Sequence, residues 1–177
     1  MEKKDTPLVS VVMGSDSDLA IMQEATDVLN AFGIPHEVYL TSAHRAPERT
    51  AAFAQKAGGR GVRVIIAGAG AAAHLAGVIA SQTLLPVIGV PVEATSLGGL
   101  DALLATVQMP GGIPVATMAI GKAGAKNAAL MAVSILSLGN KELSEKLLAY
   151  RSNMAREVEL KHDKLLNSLN ICPKSSL

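Results

Sequence analysis

The chain has 177 residues, 49% of them hydrophobic but only 2% aromatic, with no Trp and a formal net charge of +1. That length suits one domain with a core of Ala, Val, Leu, Ile and Met, and the near-zero charge argues against nucleic acid or an anionic membrane surface as a partner. The single cysteine, Cys172, excludes an intrachain disulfide and fits a reducing cytoplasm.

The opening MEKKDTP has neither the apolar core nor the small-residue cleavage site of a secretory signal, so none is expected. Residues 8–13 (LVSVVM) read as a buried strand that runs into Gly14-Ser15-Asp16-Ser17-Asp18. Small residues after a strand let backbone N–H groups face a ligand, and the next helix offers its positive N-terminal end. The plainer reading is a helix N-cap by Ser17 or Asp18. The run is not a P-loop, since no Gly-Lys-Ser/Thr follows, nor a dinucleotide fingerprint, since the later glycines are missing.

Residues 18–32 carry helix-spaced apolar positions at Leu19, Met22, Ala25 and Leu29, closed by Gly33. A second strand at 35–40 leads into Ser42-Ala43-His44-Arg45-Ala46-Pro47. Arg is the natural fork for a phosphate, and a nearby Ser adds a hydroxyl donor. Histidine can give and take protons near neutrality. A loop histidine also serves in purely structural or solvated roles, so His44 is a candidate on its neighbours rather than on its own. Pro47 suits the first turn of a helix that ends near Gly58-Gly59.

Residues 62–67 (VRVIIA) form the third strand, followed by Gly68-Ala69-Gly70-Ala71-Ala72-Ala73-His74. Here the glycines allow close backbone approach to a flat ring, or simply a tight strand–helix connection. His74 by itself reads as a helix-start polar residue. A fourth strand at 85–90 (LPVIGV), a helix near 99–107, a short strand near 113–119 and an Ala-rich helix at about 123–138 complete the pattern. The rigid apolar loop from Gln108 to Pro114 is expected to turn the chain, with contact to a neighbour's site as the alternative.

Strands alternating with helices predict an α/β fold: a three-layer αβα sandwich around a five-stranded parallel sheet in flavodoxin-like order. The stretches 64–92 and 102–121 contain no Asp, Glu, Lys or Arg. Gly, Pro and polar residues interrupt both, which favours buried strand–loop–helix units over membrane spans. So much uncharged sequence also points to cover by other subunits. Residues 141–166 differ: Lys and Glu interleave, and Leu143, Leu147, Tyr150, Met154 and Val158 share one face. This helix is expected to reach onto a neighbouring subunit, the alternative being its own domain. The domain reading is therefore one unit over 1–177: a core at about 8–140, an oligomerisation helix at about 141–166 and a disordered tail.

In an open parallel sheet the loops after the strands emerge at one edge, where α/β proteins place their ligands. One site would then gather an imidazole, a guanidinium, serine hydroxyls, an aspartate and bare glycine backbone. That set suits acid–base chemistry on a small phosphorylated, hydroxylated molecule. His36, His44, His74 and His162 show no metal-ligand spacing and no Cys partner, so no metal is expected. No G-x-S-x-G elbow nominates a serine nucleophile.

In this order VVMGSDSD, TSAHRAPER, VIIAGAGAAAHLAG, LPVIGVPV and GLDALLATVQMPGGIPVATMAIGKAGAKNAAL closely resemble the catalytic subunit family of phosphoribosylaminoimidazole carboxylase, in de novo purine synthesis. The likeness covers roughly residues 8–160. One class of that family is the N5-carboxyaminoimidazole ribonucleotide mutases. The other carboxylates aminoimidazole ribonucleotide directly with CO2. Ala-His-Arg and GAGAAAHLAG resemble the mutase class.

The resemblance implies that Ser15 and Asp18 hold the nucleotide, Asp18 accepting from ribose hydroxyls, and that Arg45 grips the 5′-phosphate with help from Ser42. It implies that Ala69 and Gly70 line the ring and the CO2 pocket, with His74 and Leu75 close by, and that His44 is the general acid–base. It further implies a small-molecule substrate with CO2 as a trapped intermediate, no cofactor, a homo-octamer with a swapped terminal helix, and a functional link to the ATP-dependent synthetase that makes the substrate. Three positions depart from the common pattern: Ala71 and Ala76 stand for Gly and Pro, and Ala102 for Ser. The rival readings are a direct carboxylase and a non-catalytic flavodoxin-like nucleotide-binding module.

Overall fold

A computed structural model describes residues 6–169, so the opening MEKKD, Cys172 and the expected disordered tail lie outside the described residues. Three runs with almost no polar residue become the centre of a sheet: β1 (Val9–Met13), β3 (Val64–Gly70) and β4 (Val87–Val92). Strands buried on both faces carry apolar side chains in succession rather than in alternation. β2 (His36–Leu40) and the two-residue β5 (Ala116–Thr117) flank them, giving the all-parallel order β2-β1-β3-β4-β5. This is the flavodoxin-like order read from the alternation of elements.

Side chains on successive strand residues point to opposite faces, which sorts the helices into two layers. Val12, Ile65, Ala67 and Val87 pack with Phe53, Ala54 and Ala57 of α2 (Pro47–Ala57) and with Leu75, Ala76 and Ile79 of α3 (Leu75–Ala80). A Cβ on Gly89 would run into Thr106 of α4 (Leu100–Val107), so α4 joins this layer. On the other face Met22 of α1 (Leu19–Ala31) fills the space over Gly68, where a Cβ would meet its sulfur. α5 (Gly121–Ser137) is tied to α1 by Lys122 and Glu24, 3.7 Å apart, and buries Ala125, Ala128, Ala129 and Ala132. Of the four apolar positions read for the first helix, Met22, Ala25 and Leu29 are fully buried, whereas Leu19 is 46% exposed.

Strand boundaries move toward the carboxyl edge. β3 runs on to Gly70 and β4 to Val92 because Ala69 and Gly70 pair with Pro91 and Val92. The glycines read as a loop are therefore the bare end of a strand.

Two of the four aromatics meet at the β2 edge. Tyr39 stacks on Phe53 with ring centroids 4.4 Å apart, and the guanidinium carbons of Arg49 and Arg60 lie 5.0 Å from the Tyr39 and Phe53 ring centroids respectively. Arg60 also donates to Glu37 at 2.8 Å, and Glu37 accepts from the fully buried Ser10 hydroxyl at 2.6 Å. Ser10 and Glu37 face one another in the β1–β2 register.

The chain divides into two compact units, one up to Leu136 and one from Ser137. The second holds α6 (Lys141–Ser168), whose first turn is capped by the Asn140 side chain accepting from the Leu143 N–H at 3.1 Å. Glu142 pairs with Lys146 at 2.9 Å along the helix. Leu143 is buried, while Met154 and Val158 of the same stripe are 44% and 65% exposed. Among the described residues no helix is long and apolar enough to cross a membrane.

Burial pushes the Glu37 carboxyl up, but the Ser10 hydroxyl and the Arg60 guanidinium outweigh it and hold the group below its usual value. A carboxyl with a lowered folded-state value stabilises the fold above its unfolded value and loses that contribution as pH falls through the folded one. Both partners are partly exposed, which screens the pair. Glu37→Gln is expected to cost about 1 kcal/mol in urea unfolding near neutral pH. The gap from wild type should close as pH falls through the lowered folded-state value of Glu37. An undiminished gap there would show that charge is not the cause.

Candidate active site

The sheet order reverses between β1 and β3, so their following segments leave on opposite faces and open a crevice at the carboxyl edge. A cavity of about 350 Å³ occupies it. Ser15 and Asp18 enter from beyond β1, Ser42, His44 and Arg45 from beyond β2, and Ala69, Gly70 and Leu75 from β3 and α3. His74 does not line the cavity but bonds to His44, which does. All nine residues singled out in the sequence thus gather at one edge. Gly14, Ser17, Ala43, Ala71, Ala72 and Ala94 complete the wall.

The segment after β1 is a short 3-10 turn, Asp16–Asp18, in reciprocal capping. Ser15, rather than Ser17 or Asp18, is the capping residue: its hydroxyl accepts from the Ser17 N–H, and its own N–H donates to Asp18 Oδ2 at 3.0 Å. Asp18 is only 5% exposed. Burial pushes its carboxyl above the usual value, against the lowering effect of the Ser15 and Gly14 N–H groups, and Asp16 adds to the rise.

The segment after β2 is pinned from below. The buried hydroxyls of Thr41 and Thr50 share a hydrogen bond at 2.9 Å, and Thr50 also donates to the Ala46 carbonyl. This fixes where β2 hands over to α2, and it lifts Ser42, His44 and Arg45 above the sheet. Ser42 Oγ accepts from the Arg45 backbone N–H at 3.2 Å and from Arg45 Nε at 3.5 Å. Arg45 Nη2 reaches the Gly14 carbonyl at 3.4 Å. Contacts this long hold the guanidinium in place without satisfying it.

Across the crevice His44 Nε2 and His74 Nδ1 lie 2.8 Å apart, with the rings edge to face at 5.0 Å. His74 sits at the start of α3, as a helix-start residue should, but its side chain makes no cap there. Two imidazoles bonded in this way need one neutral ring nitrogen as acceptor and leave the other ring able to carry the proton, so the pair can give a proton and take it back. Next to them the backbone is tight. Ala73 and His74 donate to carbonyls only two residues back, and Ala71 has φ +54, the only non-glycine at positive φ among the described residues. That conformation costs an alanine about 1 kcal/mol.

Gly70 has no room for a side chain, since a Cβ there would lie 2.5 Å from Ala94 Cβ. Ala94 was not singled out in the sequence. A fourth strand placed at 85–90 ends too early for Ala94 to look like a strand-end residue, whereas β4 ends at Val92. The resulting wall of Ala and Gly is small, apolar and close to the imidazole pair. An arrangement with a carboxylate and hydroxyl at one end, a guanidinium beside them and a proton-carrying pair opposite can hold a phosphorylated sugar and move a proton at its other end.

Comparison with known proteins identifies the family. The family model for AIR carboxylase matches residues 8–157. A Pyrococcus horikoshii protein named N5-carboxyaminoimidazole ribonucleotide mutase is 56% identical over 163 residues, covering 92% of this chain and 91% of that protein. An Escherichia coli K12 protein of the same name is 51% identical over 159 residues, covering 89% and 94%. The crystal structure of Treponema denticola PurE superposes with a TM-score of 0.81 at 29% identity, covering 90% of this chain and 98% of that one. The chain belongs to the AIR carboxylase family.

Proposed function

We propose that the chain interconverts N5-carboxyaminoimidazole ribonucleotide and 4-carboxy-5-aminoimidazole ribonucleotide, a step of de novo purine synthesis, by decarboxylation and recarboxylation. The observation that carries this reading is His44, bonded to His74, beside a pocket wall of Ala and Gly at the crevice of the sheet. Family membership and the mutase names of relatives sharing half the sequence support the choice of the mutase over the direct carboxylase and over a non-catalytic nucleotide-binding module.

In this reading Ser15 and Asp18 hold the ribose, Asp18 accepting from its hydroxyls, and Arg45 with Ser42 holds the 5′-phosphate. The imidazole ring lies along Ala69 and Gly70, with Leu75 closing the apolar side. The exocyclic nitrogen takes a proton from His44 as its bond to the carboxylate breaks and CO2 forms. Carbon C4 attacks the CO2, making a tetrahedral carbon that carries both hydrogen and carboxylate. His44 removes that hydrogen, which restores the aromatic ring and leaves no net proton change. His74 fixes the ring and tautomer of His44. Holding CO2 against C4 makes recapture intramolecular, an advantage that reaches about 7 kcal/mol or more in well-oriented systems. Keeping water out of the small pocket limits escape of CO2.

The same proposal makes the chain a single functional domain with its terminal helix on a neighbouring copy, in a homo-octamer. Exposed apolar side chains support it: Leu97, Leu100, Leu104 and Val107 along α4 and the segment before it, and Leu148, Met154, Val158 and Leu165 along α6. A cytoplasmic location and a functional link to the ATP-dependent synthetase that supplies the N-carboxylated substrate belong to the same reading.

Conversion of freshly prepared N5-carboxyaminoimidazole ribonucleotide without ATP tests the reading. His44→Asn is expected to lower kcat by roughly 10²- to 10⁴-fold with the assembly intact. Turnover only of aminoimidazole ribonucleotide with CO2 would overturn the mutase reading, and a loss below tenfold would remove His44 from the chemistry.

Asp18 makes the opposite linkage to Glu37. Its folded-state value is raised, so its contribution is most favourable below the unfolded value and is lost as pH rises through the folded one. Asp18→Asn is therefore expected to melt at or above the wild-type temperature near pH 7 while KM rises roughly tenfold or more, from loss of a charge-assisted bond. A lower melting temperature with unchanged KM would make Asp18 a purely structural residue.

A further inference from the structure

Beside the active-site cavity lies a second one of about 420 Å³, and the two share Gly14, Ser15, Ser42 and Arg45. What the second adds is the outer side of the crevice: Leu40, Thr41, Ala46, Asp16 and, four residues beyond Arg45, Arg49. Two guanidiniums therefore line one cavity at the sugar-holding end, and among the described residues neither forms an ion pair with a carboxylate. Asp16 is the one opposing charge on the cavity wall, and its Oδ1 is occupied by the Ser15 hydroxyl and the Ser17 N–H.

Arg49 is placed, not free-swinging. Its Nε donates to Tyr39 Oη at 3.1 Å and its guanidinium carbon sits 5.0 Å from the ring centroid. Tyr39 is held in turn by its stack on Phe53. Of the five guanidinium N–H donors, only the one on Nε has a partner among the described residues, which leaves the terminal edge for a ligand. A guanidinium already ordered by packing on an aromatic ring loses less freedom when it binds an anion.

We propose that Arg49 is a specificity-determining residue of the phosphate end, the second cation that makes the site select a doubly charged phosphate monoester over the uncharged ribonucleoside. The inference rests on the placement of the 5′-phosphate at Arg45 given above. A phosphate monoester carries between one and a half and two negative charges near neutrality. Arg45 alone, held by contacts of 3.4 and 3.5 Å, meets one of them, and Arg49 meets the other.

The test is steady-state kinetics on Arg49→Gln, Arg49→Lys, Tyr39→Phe and Arg45→Gln beside wild type, with inorganic phosphate as a competitive inhibitor. Arg49→Gln is expected to raise both KM for the ribonucleotide and the inhibition constant of phosphate roughly tenfold, with less than a threefold loss in kcat. Arg49→Lys should recover most of both, because the charge is kept. Tyr39→Phe keeps the ring and removes only the bond to Nε, so a smaller rise of the same two constants is expected. If Arg49→Gln leaves both constants within twofold of wild type while Arg45→Gln raises them, the phosphate sits on Arg45 alone and the proposal fails. If Arg45→Gln leaves them unchanged as well, the phosphate placement itself is wrong and the proposal falls with it.

Discussion

Gly14 donates its N–H to the Gly68 carbonyl at 3.2 Å, and its own carbonyl accepts from the Arg45 guanidinium at 3.4 Å, so one glycine joins the ends of three strands. The neighbouring strand end is as bare. Gly68 and Gly70 leave no space for a Cβ because Met22 and Ala94 already occupy it. A side chain at Gly68 would run into Met22 of α1, and one at Gly70 into Ala94 beyond β4. The bare glycines let α1 and the segment after β4 close in on the end of β3, beside the crevice where His44 reaches His74. Topology supplies a crevice; the missing side chains make it narrow enough for chemistry.

The balance of forces in the site is uneven by design of its burial. Hydrogen bonds from Ser15 and Gly14 do not compensate the desolvation of Asp18, so burial disfavours its ionised form. Ala71 adds backbone strain a few residues from the imidazole pair. Costs of this kind concentrate where geometry serves binding rather than folding. They are offset by a sheet whose three central strands are wholly apolar apart from Ser10, and by the Thr41–Thr50 and Ser10–Glu37–Arg60 hydrogen bonds that fix β2 against its neighbours.

Much of this was legible in residue order. Apolar runs of strand length separated by helix-spaced ones specify the parallel sheet, and the carboxyl-edge rule collects Ser15, Asp18, Ser42, His44, Arg45, Ala69, Gly70 and Leu75 around one cavity. What stayed hidden needed register or conformation. Pairing with Pro91 and Val92 makes Gly70 a strand residue, and no local pattern around Gly68-Ala69-Gly70 announces that. Ser10 sits in an apolar strand with nothing near it in sequence to show that Glu37 faces it. Ser15 took the cap because the turn begins two residues earlier than a cap at Ser17 would place it. Arg49 reads as an ordinary helix charge until the fold places its guanidinium on Tyr39 at the cavity's outer side.

The central claim is that the narrow, side-chain-free crossing keeps CO2 beside the imidazole ring between bond breaking and bond making. Substrate carrying ¹³C in its N-carboxylate, converted in excess unlabelled bicarbonate and followed by ¹³C NMR, tests it directly. Retention of nearly all the label on C4 of the first product is the expected result. Equilibration of the label with the bicarbonate pool before product forms would mean that CO2 leaves the pocket, and would contradict the account.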